Sequence, residues 1–521
     1  MPRLYLWPNR RELTFRPGQN LYEVLVAAGI NPGGQVCGGK GICGKCRVRL
    51  QSTAPPPNKL DRKKLTDVEL AGNIRLACGL IPKGEEVVEL FIARPSLAAK
   101  AEIGAEPFPV DPWPHLAAND LVLAVDLGTT NLVAHLIDPG TGRVIGSSVA
   151  PNSQAIFGAD VVSRLTYTSR GGPKARKKLS DLAWDDIEAL AETILPPASR
   201  IRHAVMVMNS AMETLLLELD PDLLGRAPYK PEITGPVHRK STSEGVLADT
   251  EIHLPPLIGG YVGSDALSAL LSVLSTNPAG PFLLLDIGTN SEVILAEKDG
   301  FVACSTAAGP AFEGSGISSG IQAVEGAITQ MRLAEDHWVY SIIGDGQPLG
   351  LTGSGLFSIL GELIRAGSID RFGVFVPENL PPDSLYHGSN GRRLALAPEV
   401  QLSEADIQQL MLAKAATRAG VETLLELTHR QAVELETVYL CGNFAGHLEP
   451  ADVLSIGLLP PVGMARLIFM KNAAALGAVM MAASREKFNQ AVELAGKIVH
   501  LPLSGHPHFK VHFEEQVCFC A

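Results

Sequence analysis

Val125-Asp126-Leu127-Gly128-Thr129-Thr130-Asn131-Leu132-Val133 and Leu285-Asp286-Ile287-Gly288-Thr289-Asn290-Ser291-Glu292-Val293 are two versions of one pattern. In each, an apolar run ends on Asp, a Gly-Thr turn follows, and a second apolar run begins. Leu121 to Leu127 and Asn131 to Asp138 read as strands, as do Phe282 to Ile287 and Ser291 to Ala296. A repeat this widely spaced implies two similar lobes, since solenoid periods are only ~20–50 residues. A strand–turn–strand with Gly at its tip offers backbone N–H groups to an anion. Thr and Asn side chains add donors. An Asp beside a phosphate repels it unless a cation intervenes, and Mg²⁺ binds through one or two carboxylates plus substrate phosphates. The paired turns therefore read as a Mg²⁺–nucleotide clamp. Gly128, Thr129, Thr130, Asn131, Gly288, Thr289 and Asn290 face phosphate, and Asp126 and Asp286 face the metal. One such turn is a weak signal, and two on matching strands are a much stronger one. A third element follows, where the strand Val438 to Cys441 breaks at Gly442-Asn443-Phe444, small enough at Gly442 for a base and ribose to approach. Gly353-Ser354-Gly355 opens a helix, either as a phosphate or ribose contact or as an ordinary cap.

Upstream lies a cysteine constellation, Cys37-x5-Cys43-x2-Cys46-x31-Cys78. Each iron of a [2Fe–2S] cluster needs two thiolates, and three ligands in one loop with a distant fourth is the plant-type arrangement. Glycines 33, 34, 38, 39, 41 and 44 let the backbone wrap closely and aim N–H groups at sulfur. Zinc ribbons carry two C-x2-C pairs, and this chain has one. Arg3 to Trp7 and Glu12 to Phe15 read as a hairpin turning at Pro8-Asn9, and Leu21 to Ala28 as a helix ending at Gly29. Cys46 to Leu50 and Val87 to Ile92 alternate as further strands. Cys304 and Cys441 sit on apolar stretches and read as buried. Cys518 and Cys520, at the tail, read as frayed or as a redox pair facing a partner.

The 521-residue length asks for two or three domains. Residues 1–94 read as the cluster domain and 95–119, rich in Pro and Ala, as a flexible linker. Residues 120–278 and 279–505 read as the two lobes and 506–521 as a tail. Helices are expected at Trp184 to Leu195, Ser264 to Ser275, Gly355 to Ala366, Glu404 to Leu427 and Ala473 to Ala482. The net charge of −11 argues against nucleic acid and acidic membrane as partners. Lys174 to Lys178 reads as a solvated helix start. No apolar run reaches the ~18–20 residues of a span, and no signal peptide is visible. The expected compartment is the cytoplasm, where clustered cysteines mean metal or redox chemistry.

The paired turns and the Gly442 break resemble the acetate and sugar kinase, Hsc70 and actin superfamily. The x5 gap resembles ferredoxins of the adrenodoxin type. These resemblances imply an α+β, ferredoxin-like β-grasp domain followed by an α/β, two-lobed, RNase-H-like ATPase. Further stretches resemble the reductive activators of corrinoid-dependent enzymes. They include Asn152-x-Gln154, Gly158-x-Asp160-Val161-x-Ser163-Arg164, Leu217 to Pro231, Gly309-Pro310-Ala311-Phe312-Glu313-Gly314 and Asp406 to Gly420. The resemblance implies ATP-dependent, one-electron reduction of an inactive Co(II) corrinoid to Co(I) on a partner of a methyl-transfer system. It also implies a low-potential donor upstream and homodimerisation as a family habit. Met208 to Glu213 departs from the family string, and no extra domain separates cluster from ATPase. Two other readings compete. One is an ATP-driven donor to a non-corrinoid enzyme, as in 2-hydroxyacyl-CoA dehydratase activation. The other is a nucleotide-binding redox adaptor without turnover.

Overall fold

The computed structural model describes every residue except 1, 8–10, 29, 31, 33–38, 40, 42–43, 52–53, 66, 85, 91–102, 104–105, 159, 298–299, 389–390, 443, 463–465 and 520–521. The expected features at Pro8-Asn9, Gly29, Cys37, Cys43, Asn443 and Cys520 lie outside the described residues.

The N-terminal sheet contains β1 (Arg3–Trp7), β2 (Arg11–Thr14), β3 (Arg47–Leu50), β4 (Ile74–Leu76) and β5 (Val87–Leu90), in the order β2-β1-β5-β3-β4. β1 runs parallel to β5 and antiparallel to β2. Helix Leu21–Ala27 packs on this sheet, and its N-cap Asn20 accepts from the Glu23 N–H. Leu4, Leu21, Leu25, Val48, Leu76 and Val88 are fully buried between them. This is a β-grasp domain of ferredoxin type.

Lobe 1 is built on β6 (Asp120–Leu127), β7 (Asn131–Asp138), β8 (Arg143–Pro151), β9 (Arg200–Met208), β10 (Val237–Lys240) and β11 (Glu251–Leu254). Its order is β10-β11-β9-β6-β7-β8. Lobe 2 has β12 (Phe282–Ile287), β13 (Ser291–Glu297) and β14 (Gly300–Thr306), two three-stranded side sheets and then three returning strands. The side sheets comprise β15 (Ala327–Ala334), β16 (His337–Ile342) and β17 (Gly350–Leu351), and β18 (Leu385–Gly388), β19 (Gly391–Ala397) and β20 (Val400–Ser403). The returning strands are β21 (Thr437–Cys441), β22 (Leu467–Phe469) and β23 (Ile498–His500), giving the order β22-β21-β12-β13-β14-β23. The series β8-β7-β6-β9-β11 and β14-β13-β12-β21-β22 share one topology, three antiparallel strands followed by two parallel ones. The sequence repeat is thus a repeat of architecture.

Helices Ser264–Leu274 and Ala473–Ala483 lie between the two sheets. Their backbones nearly touch. A Cβ at Gly477 would lie 2.1 Å from the Ser268 carbonyl oxygen, and Ser268 Oγ donates to the Ala474 carbonyl at 2.6 Å. The small residues of AAALGAVMMAA make that approach sterically possible.

Three expectations are corrected. The tail through Phe519 is not frayed, because helix Pro507–Gln516 leads to a buried Phe519 and Lys414 Nζ donates to the Gln516 carbonyl at 2.9 Å. Part of the segment read as a flexible linker is packed structure. Trp113 is buried, donates from its indole to the Ala482 carbonyl at 3.0 Å, and stacks on His253 with ring centroids 4.0 Å apart. Phe108 N–H also bonds the Gly142 carbonyl. Proline density masked these two aromatic anchors. The helix expected at 184–195 is the end of Val161–Ile194, which breaks into two helices at Gly172 (φ 63°). Lys174, Lys177 and Lys178 are exposed just after that break, as a solvated helix start should be.

Candidate functional site

In the cluster domain the antiparallel β3–β4 ladder pairs Arg47 with Leu76. Cys46 precedes β3 and Cys78 sits in the turn after β4, so this ladder closes the 31-residue gap. The two sulfurs lie 3.3 Å apart. That is too long for a disulfide, ~2.05 Å, and near the ~3.7 Å that two ~2.3 Å arms subtend at a tetrahedral metal. The helix Lys59–Lys64 fixes the Cys78 turn. Buried Asp61 accepts from the Leu76 N–H at 3.0 Å, and Asn58 donates to the Gly79 carbonyl at 2.9 Å. Gly39, Gly41 and Gly44 all have positive φ, a wrapped loop that side-chain-bearing residues resist. The described half of the donor set fits a thiolate-bound cluster.

In the ATPase the penultimate residues of β6 and β12 are Asp126 and Asp286. They line one interlobe cleft together with Gly128, Thr129, Thr130, Gly288, Thr289, Asn290 and Gly442. The cleft also holds residues that local motifs did not single out, namely Asn209, Asp265, Glu292 and Glu313. Asn209 donates to Thr129 Oγ at 3.0 Å. Asp265 enters at the start of helix Ser264–Leu274. Gly263 makes this possible, since a Cβ there would strike the Met208 carbonyl oxygen at 2.2 Å. Gly442 (φ 118°) is equally forced, because a Cβ would lie 2.3 Å from the Ile287 carbonyl oxygen.

The cleft concentrates negative charge. Burial, then Asp265 and Asp286, push the Asp126 carboxyl well up. Burial and Asp265 raise Asp286 to about 7. Burial raises Asp265 to about 6 and, with Asp265 nearby, Glu213 to about 8. Glu292 is raised well above the usual carboxylate range by burial and by both Asp265 and Asp286. Among the described residues no three such side chains stand close enough to hold a metal by themselves, so a divalent cation here would need phosphate oxygens among its ligands.

Not every expected residue reaches the cleft. Asn131 begins β7 and closes the turn, its carbonyl lying where a Cβ on Gly128 would be. Phe444 packs on Phe357, with centroids 5.8 Å apart. At Gly353-Ser354-Gly355, Thr352 caps the helix by accepting from the Gly355 N–H. All three residues are buried, which is packing and cap duty. Cys304 and Cys441 are buried, as expected.

Comparison with known proteins agrees with this layout. Residues 6–83 match the 2Fe-2S iron-sulfur cluster binding domain, residues 121–274 the "RACo middle region", and residues 280–521 the "C-terminal domain of RACo the ASKHA domain". The corrinoid activation enzyme RamQ of Eubacterium limosum is 28% identical over 407 residues, 74% of this chain and 68% of that protein. The [Co(II) methylated amine-specific corrinoid protein] reductase of Methanosarcina barkeri is 26% identical over 413 residues, 72% of each. A solved reductive activator for corrinoid, iron-sulfur protein superposes with a TM-score of 0.72 at 28% identity. That match covers 99% of this chain and 98% of the other.

Proposed function

The chain belongs to the reductive activators of corrinoid proteins, and on that premise we propose that it uses ATP to pass one electron to an inactive Co(II) corrinoid on a partner protein, restoring Co(I). The observation that carries this reading is one chain holding both a paired-thiolate site (Cys46 and Cys78, sulfurs 3.3 Å apart) and a two-lobed, carboxylate-rich nucleotide cleft. Cys37, Cys43, Cys46 and Cys78 would hold a [2Fe–2S] cluster, which supplies a one-electron carrier near about −400 mV. A low-potential donor upstream reduces it.

The remaining work falls to the chain's own side chains. Asp126 and Asp286 would hold Mg²⁺ and orient the attacking water. Gly128, Thr129, Thr130, Gly288, Thr289 and Asn290 take the phosphates, and Gly442 and Asn443 bound the nucleoside end. Each ~59 mV of uphill transfer costs a factor of ten, so nucleotide energy is needed only where the acceptor lies below the cluster. Domain movement then decides when the cluster meets the acceptor. No described helix is long and apolar enough to cross a membrane, and the proposed compartment is the cytoplasm.

The test combines this protein, an excess of reductant, Mg-ATP and a Co(II) corrinoid protein. Co(I) absorbance should rise only with ATP present. A rise without ATP, or none with it, would refute the reading.

A further inference from the structure

The cluster domain touches both lobes at the rim of the nucleotide cleft, and each contact lies one short relay from a phosphate turn. On lobe 2, Lys45, the residue before Cys46, donates from Nζ to the carbonyls of Gly314 and Gly320 at 2.6 and 2.8 Å. Those two glycines close a small ring. A Cβ on Gly320 would lie 2.2 Å from the Gly314 carbonyl oxygen, and one on Gly314 would lie 3.1 Å from the Gly320 Cα. The ring is pinned from behind, where Asp406 accepts from the Ser318 N–H at 2.8 Å. Gly314 follows Glu313, whose carboxylate bridges the two phosphate turns. It accepts from Thr130 Oγ at 2.6 Å and from Thr289 Oγ at 2.7 Å.

On lobe 1, Tyr22 donates to the Ile156 carbonyl at 3.2 Å. Its ring also lies against the cluster loop, 2.7 Å from where a Cβ of Gly39 would stand. Ile156 ends the short turn Ser153–Ile156, whose flanking Asn152 holds the Gly128 carbonyl at 2.8 Å.

We propose that Lys45 and Tyr22 form a latch that fastens the cluster domain to both lobes, and that nucleotide phosphate opens it by displacing the Glu313 carboxylate. This rests on the cleft being the ATP site. The physical ground is competition. Glu313 already uses the threonine hydroxyls that a phosphate needs, and two anions do not share them. Moving Glu313 moves Gly314, its covalent neighbour and half of the Lys45 cradle. Any lobe rotation also strains a domain fastened to both lobes. Cys46 follows Lys45 directly, so opening the latch frees this end of the cluster site to approach an acceptor. Lys45, Tyr22 and Glu313 are positioning residues in this scheme.

The test is hydrogen exchange on the anaerobic, cluster-loaded full chain, with nucleotide binding measured calorimetrically on the same samples. The probe is a non-hydrolysable ATP analogue with Mg²⁺. Nucleotide should raise exchange in peptides spanning 20–27, 44–50 and 310–321 by ~3-fold or more. Lys45→Ala should show that raised exchange without nucleotide and, because coupling is reciprocal, should bind the analogue several-fold tighter than wild type. Tyr22→Phe, which keeps the ring on Gly39, should shift both readouts in the same direction and keeps the test decisive if Lys45→Ala fails to take up its cluster. Saturating nucleotide with unchanged exchange in all three peptides would overturn the latch, as would wild-type affinity in both variants. Absence of any binding isotherm in wild type would instead refute the ATP site, and the latch with it.

Discussion

The two phosphate turns share a sequence and a topology, yet they are held differently. Around the first turn three consecutive carbonyls are caught from behind. Asn152 donates to Gly128 from its side chain and to Thr130 from its backbone, and buried Arg164 donates to Thr129 at 2.6 Å. Fixing the carbonyls fixes the peptide planes, which turns their N–H groups the opposite way, toward the cleft. Among the described residues no side chain holds the carbonyls of Gly288, Thr289 or Asn290 in this way. The second turn instead has Glu292 two residues beyond Asn290, while Glu313 spans both turns, accepting from Thr130 and Thr289. The difference teaches that a duplicated motif can divide its labour. On the proposed function, the braced copy would hold phosphate rigidly and the copy beside Glu292 would serve the cation.

That division can be broken by experiment. The largest effect is expected for Asp286→Asn, which should lower ATP turnover by ~10²–10³-fold, the scale of losing one electrostatic partner of a phosphoryl transfer. Nucleotide affinity should change far less, and equal losses in turnover and binding would erase the distinction between the turns. Arg164→Met should do the reverse. It strips buried donors from Gly158, Thr129 and Gln154, so unfolding free energy should drop by about 2–3 kcal/mol and nucleotide affinity should fall. Denaturant melts and calorimetry read both.

Gly477→Ala tests the joint between the two halves. The added methyl would strike both the carbonyl and the hydroxyl of Ser268, and a cost of about 2 kcal/mol is expected from overpacking, read as a lower unfolding midpoint.

A more gradual effect is a pH slope from the histidine cluster of lobe 1. His253, against His203, His238 and Trp113, is pushed down to about 3 by burial and by the two neighbouring imidazoles. The matching strands of lobe 2, β21 and β22, carry no histidine. Below about pH 6.5 the unfolded chain takes a proton that the folded chain refuses, so stability falls as pH falls, by ~1.4 kcal/mol per pH unit. The loss ends near pH 3, where the folded histidine also protonates. His253→Phe should remove that part of the slope in urea titrations between pH 4.5 and 7.

Much of this was legible in the chain because the informative residues are local. Asp126 to Asn131 and Asp286 to Asn290 are contiguous, and a turn built on them must present its N–H groups together. The cysteine loop is likewise short, and only Cys78 had to be inferred across a distance. What escaped was set by tertiary approach. Asp265 and Glu313 lie in no repeat, and they reach the cleft beside Gly263, whose missing Cβ lets the backbone pass Met208, and Gly314, which turns the chain with positive φ. The one hint was the glycine before or after an acidic residue. Trp113 and Phe108 were hidden by prolines whose composition reads as tether, although an indole between prolines is a costly thing to leave in water. The break at Gly171-Gly172-Pro173 reads locally as an end, and there the helix does stop, a second one starting after the non-helical Gly172.

The β3–β4 ladder has a consequence for how the protein is made. Two of its thiols stand 3.3 Å apart on a hydrogen-bonded ladder that packing and the Asp61 clamp hold in place. A newly synthesised chain therefore offers assembly machinery half of a docking cradle before any iron arrives. The same nearness is a hazard, because a shift of about 1 Å and an oxidant would weld the pair. Maturation is then a race between metallation and oxidation, and a preparation first exposed to air should stay colourless on later reconstitution until a thiol reductant reopens the pair.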